Sequence, residues 1–346
     1  MFRLFHCKLL VAALSLAFLC ALRASAQDSS KSLPQLVPDP GGHGLMLQRA
    51  KESFSTLSLK DSDLHAEPPL LGDKNGTKVF IREFWQVRWR PNDPIDLYVI
   101  RPRDVEKPPV VLYLYGFPSE TDRFKNNGYC ERVVRGGAAA IGFVSALTGQ
   151  RAEHLPPTRW FVSELQESLA ATVHDVQMIL NYLDSRGDLD MTRVGMFGQG
   201  SGGAIAILAA AADPRLKAID LLDPWGDWPD YLAKSGIKPE ELANYLKPDF
   251  LQRLEPLEPV RFLPELKSRS LRMQFVDEYD ESKEAVRKLE AAAPSTAEVV
   301  HYPTEVAFKS ATANGALFEW IAAALKPHPD SNTASREAPR EPKPGQ

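Results

Sequence analysis

Arg193-Val194-Gly195-Met196-Phe197 runs into Gly198-Gln199-Gly200-Ser201-Gly202-Gly203, and these into Ala204-Ile205-Ala206-Ile207-Leu208-Ala209-Ala210-Ala211-Ala212. The first block is a short apolar run of strand type and the last is an alanine-rich helix. The glycines between them suit a tight turn in which two backbones come close. Such a turn also points the first N–H groups of the helix beyond the end of the strand, where an anion is stabilised.

Working outward, strands and helices alternate. Residues 79–89 show period-2 alternation, 95–100 follow a Pro91-Asn92-Asp93-Pro94 turn, and 110–115 form a continuous apolar run. These predict a hairpin followed by a buried strand. A strand is expected within 136–147, a long amphipathic helix over 160–183, and further strands at 216–222, 271–276 and 299–302, with a closing helix over 316–325. An insertion bearing Pro and Trp, 224–264, separates two of these strands. This alternation implies an α/β domain with a mostly parallel sheet flanked by helices.

In this order of elements the chain resembles the α/β-hydrolase superfamily, in its exported esterase or peptidase-like branch, over roughly residues 79–325. Leu112-Tyr113-Leu114-Tyr115-Gly116-Phe117-Pro118 looks like that family's oxyanion strand and its His-Gly-Phe-Pro turn, with Tyr115 in place of histidine. Gly198 to Gly202 is similar to the nucleophile elbow, Gly-x-Ser-x-Gly, with Gly200 in the serine slot. Asp277 and Asp280 sit where the family keeps its acid, and Asp223 is a second candidate. Tyr302-Pro303 resembles the turn leading to the catalytic histidine, where this chain has Ala307. The resemblance implies an α/β-hydrolase fold with a small cap insertion.

The chemistry of that family requires a serine, a histidine to take its proton and an acid to orient the histidine. Two of the three are missing, so standard serine hydrolysis is not expected. A backbone oxyanion site can outlast them, built around Tyr115, Gly116, Phe117, Gly200 and Ser201. The expectation is a protein that binds a small oxyanion-bearing ligand or a partner without standard hydrolysis. In the alternative, Ser201 is the nucleophile of an ester or amide hydrolase whose base is unidentified, His154 being the candidate left open, and Asp280 is either its acid or the N-cap of the helix that follows. A further reading takes Gly198, Gly200 and Gly203 as G-x-G-x-x-G, with Asp220 or Asp223 closing a dinucleotide fingerprint. Asp223, Trp225 and Trp228 open the insertion and are candidates to line a pocket under a cap. Arg123, Lys125 and Arg151 follow strand ends and are candidates to attract anions. No metal-ligand spacing is present, and no cofactor is expected.

The sequence of 346 residues has a net charge of −4 and 44% hydrophobic residues, with no charge excess to attract nucleic acid. Residues 1–26 read as an export signal: Arg3 and Lys8, an apolar stretch, then Ala24-Ser25-Ala26. The stretch is about 14 residues, short of the roughly 20 that span a bilayer. The mature protein is therefore expected to be periplasmic or secreted, with no membrane partner after cleavage, and its oligomeric state is left open. Residues 27–77 read as an N-terminal arm with a helix candidate at 45–57, residues 78–325 as the hydrolase domain, and residues 326–346, rich in Pro and charge, as a disordered tail. Asn75-Gly76 reads as a turn ahead of the first strand. Cys130 is the one cysteine outside the signal and reads as a buried, inert thiol.

Overall fold

The computed structural model describes residues 52–90, 93–116, 120–147, 165–234, 239–279 and 283–326. Residues 1–51, which take in the expected export signal and the first half of the expected arm, and residues 327–346 lie outside them. The strands are β1 (Leu70–Gly76), β2 (Phe80–Val87), β3 (Ile95–Pro102), β4 (Pro109–Leu114), β5 (Ala139–Phe143), β6 (Asp190–Gln199), β7 (Leu216–Leu222), β8 (Ser270–Val276) and β9 (Glu298–Tyr302). The helices are α1 (Asn127–Val133), α2 (Leu165–Arg186), α3 (Ser201–Ala212), α4 (Trp228–Lys234), α5 (Pro239–Tyr245), α6 (Pro248–Leu254), α7 (Pro259–Phe262), α8 (Lys283–Ala292), α9 (Glu305–Ala311) and α10 (Glu319–Ala324).

All nine strands belong to one sheet, ordered β1-β2-β3-β5-β4-β6-β7-β8-β9. From β5 to β9 neighbouring strands are parallel, while β1, β2 and β3 add on antiparallel at one end. Every residue of β4 and β5 is buried, as expected for strands covered on both faces. One face packs against α2, α3, α8 and the helices between β7 and β8, and the other against α1 and α10. α3 lies deepest, with Ser201 through Ala210 all buried. Complete burial of Ile205, Ile207 and Leu208 contributes about 2 kcal/mol each.

Three features differ from the sequence reading. Residues 70–76, assigned to the arm, form edge strand β1, every residue of it exposed. Apolar patterning does not mark such a strand; its pairing with β2 holds it in place. Residues 52–57, the described end of the helix candidate, are not helical. Hydroxyls there and just beyond accept from nearby backbone, Ser58 N–H to Thr56 and Lys60 N–H to Ser58, in competition with helix bonds. Glu52 then anchors this segment on α2 through His174, at 2.7 Å, and Arg90. Finally, the closing helix begins as a 3-10 turn over Ala313–Phe318, because Asn314 and Gly315 take positive φ.

Candidate functional site

The turn between β6 and α3 has the backbone of a nucleophile elbow. Gly200 has φ +56° and ψ −118°, outside the regions open to most side chains. Its N–H donates to the Leu222 carbonyl at 2.9 Å, and its own carbonyl accepts from Gly203 at 3.0 Å and from Trp225 at 3.0 Å. The turn is thus fixed by β7 and by the start of the insertion as well as by α3. With glycine there, the conformation is held without steric strain. The flanking glycines serve a different need. A Cβ on Gly202 would stand 2.0 Å from the Leu114 carbonyl oxygen, and one on Gly198 2.3 Å from that of Gly202.

The direction a nucleophile would take from Gly200 is defined. A Cβ built there meets the Trp225 indole nitrogen at 3.4 Å and the Gly116 Cα at 3.8 Å. Trp225 is itself packed on Tyr231, ring centroids 4.8 Å apart. Ser201, one residue on, is the first residue of α3 and has no exposed surface. The residue proposed as an alternative nucleophile is therefore buried at the start of α3.

On the neighbouring strand end, Gly116 borders the elbow, whereas Phe117 is outside the described residues. Tyr115 is buried, its hydroxyl 2.8 Å from that of Tyr129 and the Arg123 guanidinium 3.9 Å above its ring. Its side chain is therefore engaged within the second core, and any part it takes in an oxyanion site falls to its backbone. Arg123 is likewise engaged, and Lys125 pairs with Asp122 at 3.3 Å. His154, Arg151 and Asp280 lie outside the described residues. Cys130 is buried, with its thiol directed to the Phe124 carbonyl at 3.2 Å and its pKa pushed up by burial.

Of the acid candidates, Asp223 ends β7 at φ +43° and is 4% exposed. Its Oδ1 accepts from the Val276 N–H at 2.8 Å, and its Oδ2 has no hydrogen-bond partner among the described residues. Burial, reinforced by the Asp277 charge, raises its pKa to about 6. Asp277 instead faces His301 on β9, Oδ1 to Nδ1 2.7 Å, and Glu290 on α8 takes the other nitrogen at 2.5 Å. Carboxylates on both nitrogens favour the protonated ring: Asp277 and then Glu290 raise its pKa. The sequence reading missed this trio. Its signal was Asp277, one residue past β8, facing a histidine on the strand paired with β8. Ala307, expected at the base position, sits in the first turn of α9, its N–H capped by Thr304 Oγ1 at 3.1 Å. It offers no group to accept a proton.

Of the two acids offered by the dinucleotide reading, Asp223 stands just past the end of β7 and Asp220 does not reach it. Asp220 is fully buried in mid-sheet, paired with Arg272 at 2.9 and 2.7 Å and with Gln274 at 2.9 Å, so it does not reach the strand ends where a ribose would lie. The two tryptophans divide. Trp225 stands over the elbow, while Trp228 is buried with its indole N–H on the Leu257 carbonyl at 2.9 Å and packs the insertion together. Glu258 completes that packing by accepting from the Asp227 and Trp228 N–H groups at 2.7 and 2.8 Å.

No protein-family profile and no curated protein matches this sequence. Solved structures do. An acetyl xylan esterase from Paenibacillus sp. R4 is 16% identical, with a TM-score of 0.56, over 75% of this chain and 89% of that one. Acetyl xylan esterase 1 from Thermoanaerobacterium sp. JW/SL YS485 is 13% identical, with a TM-score of 0.54, over 72% and 88%. An S-formylglutathione hydrolase from Agrobacterium tumefaciens is 15% identical, with a TM-score of 0.54, over 74% and 99%. At such identities the likeness is one of fold, and that fold is the α/β-hydrolase fold.

Proposed function

We propose that this chain is a hydrolase-fold protein that has lost standard hydrolysis and binds a small molecule carrying a carboxylate or similar oxyanion at the strand ends around Gly200. The observation that carries the reading is Gly200 itself, in elbow geometry with no side chain to attack. Ala307 at the base position and a buried Ser201 support it, since each removes a route to an activated nucleophile. Helix α3 directs its N-terminus at the same place, which favours an anion. Export to the periplasm or beyond is part of the proposal and rests on residues 1–26.

Titration calorimetry with acetate, succinate and benzoate tests the binding. The expected result is saturable binding of at least one of them, weakened in Gly200→Ala, whose methyl group intrudes on the elbow. No binding by any of the three to folded protein would overturn it. The competing reading, a serine hydrolase of the kind its structural neighbours are named for, predicts covalent labelling of a serine.

A further inference from the structure

Beside the elbow, the ends of β8 and β9 and one side of α8 enclose a pocket of about 380 Å³. Phe275, Val276, Tyr279 and Val286 give it apolar and aromatic walls, and Asp223, Asp277 and Glu290 bring three carboxylates to it. Asp277 and Glu290 both bond the one His301 ring. Lys283 and Arg287 complete the lining, and Arg287 is held by Glu284 outside the pocket at 3.0 Å. Asp223 makes no ion pair among the described residues, since the nearby His301 ring is bonded to Asp277 and Glu290; one of its oxygens is bonded to a backbone N–H and the other, shut off from bulk water, is unpaired.

A buried carboxylate in that condition has lost its hydration with little in return, and a cation brought to it restores the balance. A metal ion does not fit: no three carboxylate, imidazole or thiol side chains among the described residues are placed to hold one. An ammonium group fits better, since it needs one strong acceptor and aromatic surface and not a convergent ligand set. We infer that this pocket binds a small primary amine, with Asp223 as its counter-ion and Phe275 and Tyr279 as its walls. The inference does not depend on the loss of hydrolysis at Gly200, so the two tests fail separately.

The experiment is calorimetric titration of the full chain with putrescine, with butane-1,4-diol as the uncharged counterpart, at pH 7.5 and pH 5. Putrescine is expected to bind at pH 7.5 and the diol not to. Asp223→Asn, which keeps the acceptor for Val276, is expected to weaken binding at least about tenfold. Val286→Trp fills the pocket without altering a charge and should abolish binding. The groups facing Asp223 are Asp277, His301 and Tyr279, and the remaining charges lining the pocket are Glu290, Lys283 and Arg287. With Asp223 titrating at about 6, affinity should fall about tenfold between pH 7.5 and pH 5. Equal binding of the diol, or undiminished binding in folded Asp223→Asn or Val286→Trp, would overturn the inference. So would no heat with putrescine from folded protein.

Discussion

The Trp225 indole nitrogen lies 3.4 Å from the point where a side chain on Gly200 would begin. An esterase with this fold would carry its nucleophile at that point, and here an aromatic N–H from the insertion stands against it. Because the Trp225 backbone N–H donates to the Gly200 carbonyl, at 3.0 Å, the elbow and the insertion hold each other.

A serine placed at Gly200 is therefore not expected to create an esterase. Gly200→Ser places a side chain at φ +56°, at a cost of about 1–3 kcal/mol. It also finds no base at Ala307. The expected outcome is a lower denaturation midpoint with no gain in ester turnover, read by urea unfolding and a chromogenic acetate assay.

Gly202 is constrained by contact rather than by its dihedral angles. Its Cβ would lie 2.0 Å from the Leu114 carbonyl oxygen, a distance that forces β4 and α3 apart. Gly202→Ala should cost about 3 kcal/mol or more, seen as loss of soluble protein or a large drop in Tm.

The Arg90 guanidinium bonds Glu52, at 2.5 Å to Oε1, and Asp175, which also receives the Trp89 indole N–H at 2.8 Å. Arg90→Met leaves two buried carboxylates without their cation and should destabilise by about 3–5 kcal/mol. Burial works to raise the Glu52 pKa, but Arg90 and His174 prevail and hold it below the usual carboxylate range. Its contribution is thus present at neutral pH and lost as pH falls through that lowered value. Unfolding by urea at pH 7 and pH 3 should show the Arg90→Met deficit shrinking at the lower pH.

Asp223 has the opposite sign. Its folded pKa is raised from 3.8 to about 6, so the native state holds the proton more tightly and loses stability as pH rises between these values. The full difference is about 3 kcal/mol. Relative to the parent, Asp223→Asn should gain about 2–3 kcal/mol in stability between pH 4 and pH 7.5. A difference that stays flat with pH would show that Asp223 is not desolvated.

The sequence carried the sheet because buried parallel strands such as β4 and β5 are continuous apolar runs, and it carried the elbow because close backbone approach demands the glycines of 198–203. It did not carry β1, whose exposed Leu-Leu-Gly-Asp-Lys-Asn-Gly has no apolar periodicity and is held by pairing alone. At the site, the glycine turn at Gly200 was legible as the link between a strand and a helix. The Tyr115–Tyr129 pair and the Asp277–His301–Glu290 trio were not, since each depends on which strand lies beside which and which way its side chains face. The Glu52–His174 contact joins residues 122 apart, beyond any local pattern.

The central claim is that the hydrolase scaffold has no working nucleophile, and fluorophosphonate labelling followed by intact-mass measurement tests it most directly. Protein shown to be folded by circular dichroism should carry no adduct and should not turn over a chromogenic acetate ester. A single stoichiometric adduct, lost in Ser201→Ala together with matching turnover, would contradict the claim and assign the nucleophile to Ser201.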